Sequence, residues 1–236
     1  LPEIEAELEF KDASLGKYSF LLEKGDVNLV DSLLNVDVAL RSLSSSYPLT
    51  ISGNVPLSVK SSMDLRIESH EDGLKFLDGF TDGKFDWDAG TSELRLLLRG
   101  SIFAPKANGY LVFNNVGFSF SEKKIKNLNA LMIFDFDRIE IKNLNAEMGT
   151  NGTIFSKGSI LLTDKSLKNT NPLQIDTKRI PLKSNFLDVN VDSKLNLKGS
   201  LVEPTISGEI TIKEGFISPQ KPKPVKRLSS QKTIPN

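Results

Sequence analysis

Alternation of apolar and polar residues is the strongest signal along the chain. A period of two predicts β-strands that bury one face and expose the other. It occurs in residues 4–10, 36–40, 93–99, 194–198 and 208–213. Turn-forming residues separate such runs, so we expect about 16–20 short strands joined by tight turns. The turn signals are Gly16, Gly25, Gly53, Gly83, Asn114, Asn115, Gly149 and Gly152.

Helical signals are sparse by comparison. Residues 71–79 predict two helical turns, with Leu74 and Leu77 on one face. Residues 121–126 predict a single turn with Ser121 as its N-cap. The fold class predicted is therefore all-β, with one or two short helices.

One motif occurs twice, at residues 98–113 and 197–212, and residues 49–57 are a looser copy. Both full copies read Leu, a basic residue, Gly, Ser, an aliphatic residue, two variable positions and Pro. A second Gly follows four positions after the Pro, and alternation then resumes. Repetition of this kind predicts an elongated array of similar units.

Three positions of each copy have a predicted structural role. The first Gly permits a bend at the end of a strand, and the Pro marks the connection because it cannot donate to a β-ladder. The second Gly is expected to turn the chain into the next strand. The six residues are Gly100, Pro105, Gly109, Gly199, Pro204 and Gly208.

The number of strands predicts the shape of the sheet. Open, twisted sheets seldom exceed about 10 strands without curling or splitting. A sheet that curls with its apolar face inward forms an elongated, half-open trough. That trough must be closed by a second sheet, by its own side chains or by an apolar ligand.

Composition and charge narrow the function. The chain has 236 residues, of which 39% are hydrophobic, but its apolar runs are only a few residues long. A membrane-spanning helix needs about 20, so none is predicted. Thirty basic residues balance thirty acidic ones, which removes the electrostatic case for nucleic-acid binding. The absence of cysteine excludes disulfides and fits an oxidising envelope compartment.

The chain divides into two parts of different character. Residues 1–217 are predicted to form one elongated, repetitive β domain. Residues 218–236 are rich in Pro and Lys, with no acid, which is typical of a disordered linker. Contact of this tail with anionic lipid headgroups is the alternative. Because the sequence begins at Leu1 and shows no signal peptide, we expect a segment of a longer protein.

No catalytic, cofactor or metal site is predicted. His70 is the only histidine and lies before a turn, where a solvated side chain is expected. Asp86 and Asp88 flank a tryptophan, and Asp135 and Asp137 repeat the spacing. Without a third ligand, such pairs indicate an exposed charged face rather than a calcium site or an acid–base pair.

The twin Leu-(Arg/Lys)-Gly-Ser-x-x-x-Pro-x-x-x-Gly segments resemble the recurring units of the C-terminal region of the TamB family. These are AsmA-like proteins of the bridge-type lipid-transfer superfamily. Residues 82–90, 134–141, 144–152 and 157–162 follow the same layout. The resemblance covers about residues 45–217 and is nearest to the cyanobacterial and plastid branch.

The resemblance implies a half-open β-taco with an apolar interior that holds phospholipid acyl chains. It implies a periplasmic location in the cell envelope, with an inner-membrane anchor in parts of the protein outside this segment. It also implies an outer-membrane partner of the Omp85 class. The implied function is phospholipid transfer between the inner and outer membranes, or help in outer-membrane protein assembly.

Two interpretations of the apolar positions remain open. Alternation alone reports a buried face and favours an ordinary dry core, as in a structural or adhesive solenoid or sandwich. The resemblance favours a lipid-lined groove. A membrane barrel is disfavoured, because one Trp and three Tyr are too few for aromatic girdles. The lining candidates are Leu94, Leu96, Leu98, Leu111, Phe113, Phe118, Phe120, Phe134, Phe136, Leu195, Leu197, Ile210 and Ile212.

Overall fold

A computed structural model describes residues 4–7, 13–15, 18–58, 61–81, 84–120, 123–163, 169–184 and 187–217. These residues form fourteen strands and one 3-10 helix, Gly73–Thr81. The strands are β1 (Ile4–Glu7), β2 (Ala13–Leu15), β3 (Tyr18–Val30), β4 (Leu33–Ser42), β5 (Leu49–Pro56), β6 (Met63–Glu71), β7 (Phe85–Ser101), β8 (Ala104–Phe120), β9 (Lys123–Phe136), β10 (Arg138–Met148), β11 (Gly152–Leu161), β12 (Leu173–Ser184), β13 (Leu187–Gly199) and β14 (Pro204–Ile217).

All fourteen strands belong to one antiparallel sheet. From β3 onward each strand pairs with the next in sequence, so the sheet is an unbroken meander to β14. β1 pairs with the outer side of β3, and β2 pairs with the end of β3. The thirteen strands in line span about 55–60 Å along the curl at ordinary strand spacing. The predicted fold class, an all-β open sheet with a short helix, is confirmed.

The strands are longer and fewer than the sequence predicts. β7 and β8 have 17 residues each, and the described residues form fourteen strands rather than 16–20. The glycines taken as turn signals explain the error, because Gly25 and Gly53 lie inside β3 and β5. Gly149 does lie in a turn. Gly16, Gly83, Ser121 and residues 218–236 fall outside the described residues.

The second glycine of each repeat does not turn the chain. Gly109 and Gly208 lie inside β8 and β14, each with φ +143°. A Cβ at Gly109 would lie 1.9 Å from the carbonyl oxygen of Arg95 on the neighbouring strand. At Gly208 the corresponding distance, to the oxygen of Lys194, is 2.0 Å. The repeated glycine therefore permits close approach of the two backbones within the sheet.

The two helical predictions have different outcomes. Residues 71–79 largely coincide with the 3-10 helix, but Leu77 is 41% exposed, and Phe76 instead joins Leu74 in the core. The helical turn predicted at residues 121–126 is wrong, because Lys123 begins β9. Ile125 pairs with Phe118 of β8 and packs against the core. Cross-strand pairing overrides the local helical preference there.

The core lies on one face of the curled sheet, with no second sheet among the described residues to cover it. It joins buried residues from β5 to β10 with two from the 3-10 helix. The nine-residue helix contacts every strand from β2 to β7, so the sheet curls around it with this face inward. The buried cluster consists of Leu49, Leu74, Phe76, Trp87, Leu94, Val116, Leu128, Ala130 and Ala146.

Candidate functional site

An apolar trough, the concave face of β3 to β14, is the candidate functional site. Its lining arises because apolar residues of neighbouring strands lie opposite one another. Leu94 of β7 lies opposite Leu111 of β8, which lies opposite Met132 of β9. Met132 in turn lies opposite Ile141 of β10. At the far end, Leu197 of β13 lies between apolar residues of β12 and β14.

The convex face of the same strands carries charged and polar side chains, together with apolar ones such as Val112 and Ile133. Arg95 lies opposite Glu68 and Tyr110, on the other side of β7 from Leu94 and Leu96. The Tyr110 hydroxyl donates a hydrogen bond of 2.6 Å to Glu93. Alternation thus separates a wet outer face from an apolar inner one.

The structure places the predicted lining residues at different depths of the trough. Leu94 is buried, and a further set packs against the buried cluster: Leu96, Leu111, Phe113, Phe118 and Phe134. A half-buried set on the same face comprises Leu98, Leu195 and Leu197. The exposed set comprises Phe120 and Phe136 near the ends of their strands, and Ile210 and Ile212 on β14.

Four central residues of the trough were not among the candidates: Val116, Leu128, Ala130 and Ala146. Val116 is fully buried. The sequence obscured it because the register of β8 shifts between Phe113 and Val116, which breaks the period of two. Alternation through Leu128, Ala130 and Met132 was a usable signal, weakened by the apolar Leu131 between two of them.

The 3-10 helix fills the trough between β3 and β7. It contacts each of these strands and also β2. Phe76 packs edge-to-face on Phe20 of β3, with ring centroids 5.5 Å apart. Beside the helix, Trp87 is buried, and its ring centroid is 6.1 Å from that of Phe113. This end of the trough is occupied by the protein itself.

Asp78 carries the only side-chain carboxyl group of the 3-10 helix, and this residue is fully buried. Its Oδ2 accepts a hydrogen bond of 3.0 Å from the backbone N–H of Trp87. Burial raises the pKa of Asp78 from 3.8 to about 6, although the Trp87 N–H opposes the rise. The carboxylates of Asp86 and Asp88 add to it, and Lys75 lowers it. Nothing in the local sequence pattern marks Asp78 as buried.

Three buried polar atoms, on the helix and on the neighbouring strands β6 and β7, have no protein partner among the described residues. They are Asp78 Oδ1, the Ser69 hydroxyl and Trp87 Nε1. A buried polar group without a hydrogen bond costs about 1–3 kcal/mol. Apolar contacts therefore hold the helix in place, while burial of these three atoms lowers the stability of the seated state.

The trough is open at β14. Ile206, Ile210 and Ile212 are 62%, 67% and 57% exposed. They lie opposite Leu197, Ser193 and Val191 of β13, on the apolar side. No described strand pairs with the outer edge of β14. Apolar surface of this kind marks a place for an apolar partner.

A depression on the polar side of β11 to β14 does not resemble a binding pocket for an apolar molecule. It has a volume of about 550 Å³ and lies over β11 to β14. Phe155, Asp176 and Lys194 lie opposite one another along its floor, and Glu209 continues the row. Acidic and basic side chains alternate there, as expected for an ion-paired outer surface.

Two further observations concern chemistry. Within the described residues, no group of three or more His, Asp or Glu side chains is arranged to hold a metal ion. Within the same residues, no helix has the length and hydrophobicity needed to cross a membrane. The described residues therefore provide apolar surface, part of it covered by the 3-10 helix and part of it exposed at β14.

Similarity to known proteins agrees with the repeats. Residues 142–233 match the family described as TamB C-terminal domain. "Protein TIC236, chloroplastic" of Arabidopsis thaliana is 25% identical over 133 residues. "Protein SUBSTANDARD STARCH GRAIN 4, chloroplastic" of Oryza sativa subsp. japonica is 24% identical over 133 residues.

Each of these alignments covers 55% of the chain and 6% of the relative, so the chain spans a small part of either protein. No solved structure matches the chain. The family match begins in β10 and runs through the second repeat copy. The resemblance predicted from the repeats is therefore confirmed: the chain is similar to the TamB family, and these two relatives are chloroplastic.

Proposed function

We propose that this chain is a segment of a TamB-like envelope protein whose apolar trough holds phospholipid acyl chains. The observation that carries this proposal is the apolar face that runs from the packed core to the exposed isoleucines of β14, interrupted on β12 and β13 by the hydrogen-bonded hydroxyls of Thr177 and Ser193. A dry sandwich would cover that surface with protein. The proposed role is non-catalytic and needs no cofactor.

The energetics suit transfer rather than storage. Burial of an acyl chain stabilises it by about 0.8 kcal/mol per methylene relative to water. A bilayer offers the same chain a similar environment, so exchange between bilayer and trough is nearly balanced. The polar headgroup would remain at the open side in water, and selectivity among headgroups would be low.

The wider setting is proposed from the family match alone. We place the segment in an envelope space between two membranes, with its anchor in another part of the protein. An Omp85-class outer-membrane protein is the proposed partner. Lipid transfer between the two membranes, or help in outer-membrane protein assembly, is the proposed outcome.

Photo-crosslinking at two neighbouring positions tests the lipid proposal. We would place the probe at Ile210 in the trough and at Glu209 on the polar face, in the presence of phosphatidylcholine vesicles. Phospholipid adducts are expected at Ile210 and not at Glu209. Protein–protein adducts at Ile210 with no lipid adduct would instead favour a structural or adhesive module with a covered core.

A second pair of probes measures how far lipid reaches along the trough. Leu96 packs against the buried cluster, whereas Arg95 is exposed on the convex face. Adducts at Ile210 together with weaker adducts at Leu96 are expected, because the 3-10 helix fills the space near β7. Equal labelling of Arg95 and Leu96 would contradict a one-sided trough.

A further inference from the structure

We propose that the 3-10 helix Gly73–Thr81 is a removable stopper. While seated it blocks the trough between β3 and β7, and when displaced it opens that part of the trough to an acyl chain. The proposal rests on the proposed lipid function and adds a regulatory step to it.

The helix lies in the path that an acyl chain would follow along the trough. Leu74 and Phe76 belong to the same buried cluster as Leu49 and Trp87 of the sheet. They occupy the space that an acyl chain would need in order to pass from β8 toward β3. With the helix seated, Trp87 is buried, so a chain entering at β14 stops before it contacts the Trp87 ring.

The helix is attached to the sheet in a way that makes its displacement cost little free energy. A 3-10 helix has poorer hydrogen-bond geometry than an α-helix, and this one is nine residues long. Its departure would expose three buried polar atoms to water, those of Asp78, Ser69 and Trp87 that have no described protein partner. An acyl chain would replace the apolar contacts of Leu74 and Phe76 with similar ones, so the exchange is balanced.

A tether at one end makes displacement reversible. The Asp72 carboxylate, just before the helix, accepts hydrogen bonds from the backbone N–H groups of Ser46 and Tyr47, at 2.9 and 3.1 Å. These contacts are exposed and lie on the loop between β4 and β5. The helix can therefore swing out while Asp72, which precedes it, stays fixed to the loop between β4 and β5.

Charge on Asp78 biases the equilibrium. The charged groups that act on it are Lys75 on the helix itself and Asp86 and Asp88 on β7. The two aspartates and burial disfavour the ionised form, so ionisation of Asp78 favours displacement. The equilibrium between the seated and the displaced helix changes most steeply with pH between the ordinary pKa of an aspartate and the raised pKa of Asp78.

Fluorescence of Trp87 tests the stopper, because it is the only tryptophan of the chain. The quencher is a vesicle of dibromostearoyl phosphatidylcholine, whose brominated acyl chains quench on contact. We expect the displaced population, and hence the quenching of Trp87, to rise about tenfold from about pH 5 to about pH 8.

Two variants separate the stopper from a general pH effect. Asp78→Asn keeps an acceptor for the Trp87 N–H but has no charge, so its quenching should stay low at both pH values. Asp135→Asn removes a charge from an exposed position of β9 and should behave as the unaltered chain. The Ile210 photo-adduct reports lipid in the open part of the trough independently.

Each outcome decides a different claim. Adducts at Ile210 with Trp87 never quenched would overturn the stopper and leave the lipid function standing. Quenching of Trp87 at about pH 8 that is as strong in Asp78→Asn as in the unaltered chain would also overturn it, because access to Trp87 would then not depend on the charge of Asp78. Absence of adducts at Ile210 would remove the lipid function and with it the basis of the stopper.

Discussion

The two copies of the repeat lie in opposite environments of one sheet. Leu111 and Phe113 of the first copy occupy the positions of Ile210 and Ile212 in the second. The first pair packs against the core, whereas the second pair is mostly exposed. The difference lies in the neighbours: β8 has β9 beside it and the 3-10 helix nearby, and β14 is the last described strand.

This comparison shows that the repeated motif determines on which face of the sheet its apolar side chains lie, but not whether that face is buried. Both copies place apolar side chains on the concave side by alternation and allow close strand approach at the second glycine. Whether that surface is packed or open depends on what lies above it. A single sheet thus contains a closed region, β3 to β8 with the helix, and an open region, β12 to β14.

The largest expected difference between the two regions is in stability. Phe76→Ala should lower the free energy of unfolding by about 3–5 kcal/mol, because it removes a buried ring from the closed region. Ile210→Ala in the open region should change it by less than about 0.5 kcal/mol. Urea unfolding followed by circular dichroism measures both, and similar losses would contradict the division.

A pH-dependent difference of about 3 kcal/mol is expected from Asp78. Its folded pKa, about 6, lies above the ordinary 3.8, so the folded state binds the proton more tightly. The resulting stability is complete below about pH 4 and is lost as pH rises to about 6. Asp78→Asn should abolish this loss in urea titrations, and an unchanged pH profile would show that Asp78 is not buried as described.

Substitution of the second glycine of each repeat should have an intermediate effect on the free energy of unfolding. Gly109→Ala should destabilise the sheet by about 1–3 kcal/mol, because φ +143° and the Arg95 carbonyl leave no room for a Cβ. Gly208→Ala should cost less, since no described strand pairs with the outer side of β14 to restrain it. Thermal unfolding of both variants checks the order, and a reversed order would place β14 in the interior.

The smallest effect on stability should accompany a clear effect on lipid contact. Ile210→Ser should leave the free energy of unfolding within about 0.5 kcal/mol of the original. It should nevertheless reduce lipid adducts from a probe at Ile212, because the two side chains share the trough. Thr211→Ser, on the polar face between them, is the matched control and should leave the adducts unchanged.

Much of the fold was predictable because alternation is local. The five alternating segments all lie in strands over the residues described, and the second repeat copy marks the β13–β14 hairpin. The failures have physical reasons. Gly53 and Gly109 were read as turns, but a glycine also serves where two backbones approach closely, and only the register reveals which applies.

An all-β chain with one apolar face follows from the residue pattern alone, because strand periodicity is local. Which part of that face is covered depends on the folded structure, since burial requires contacts between residues distant in sequence. The 3-10 helix meets β3 through Phe76 and Phe20. Asp78 is buried because β7 passes beside it and offers the Trp87 N–H, a contact that no local pattern predicts.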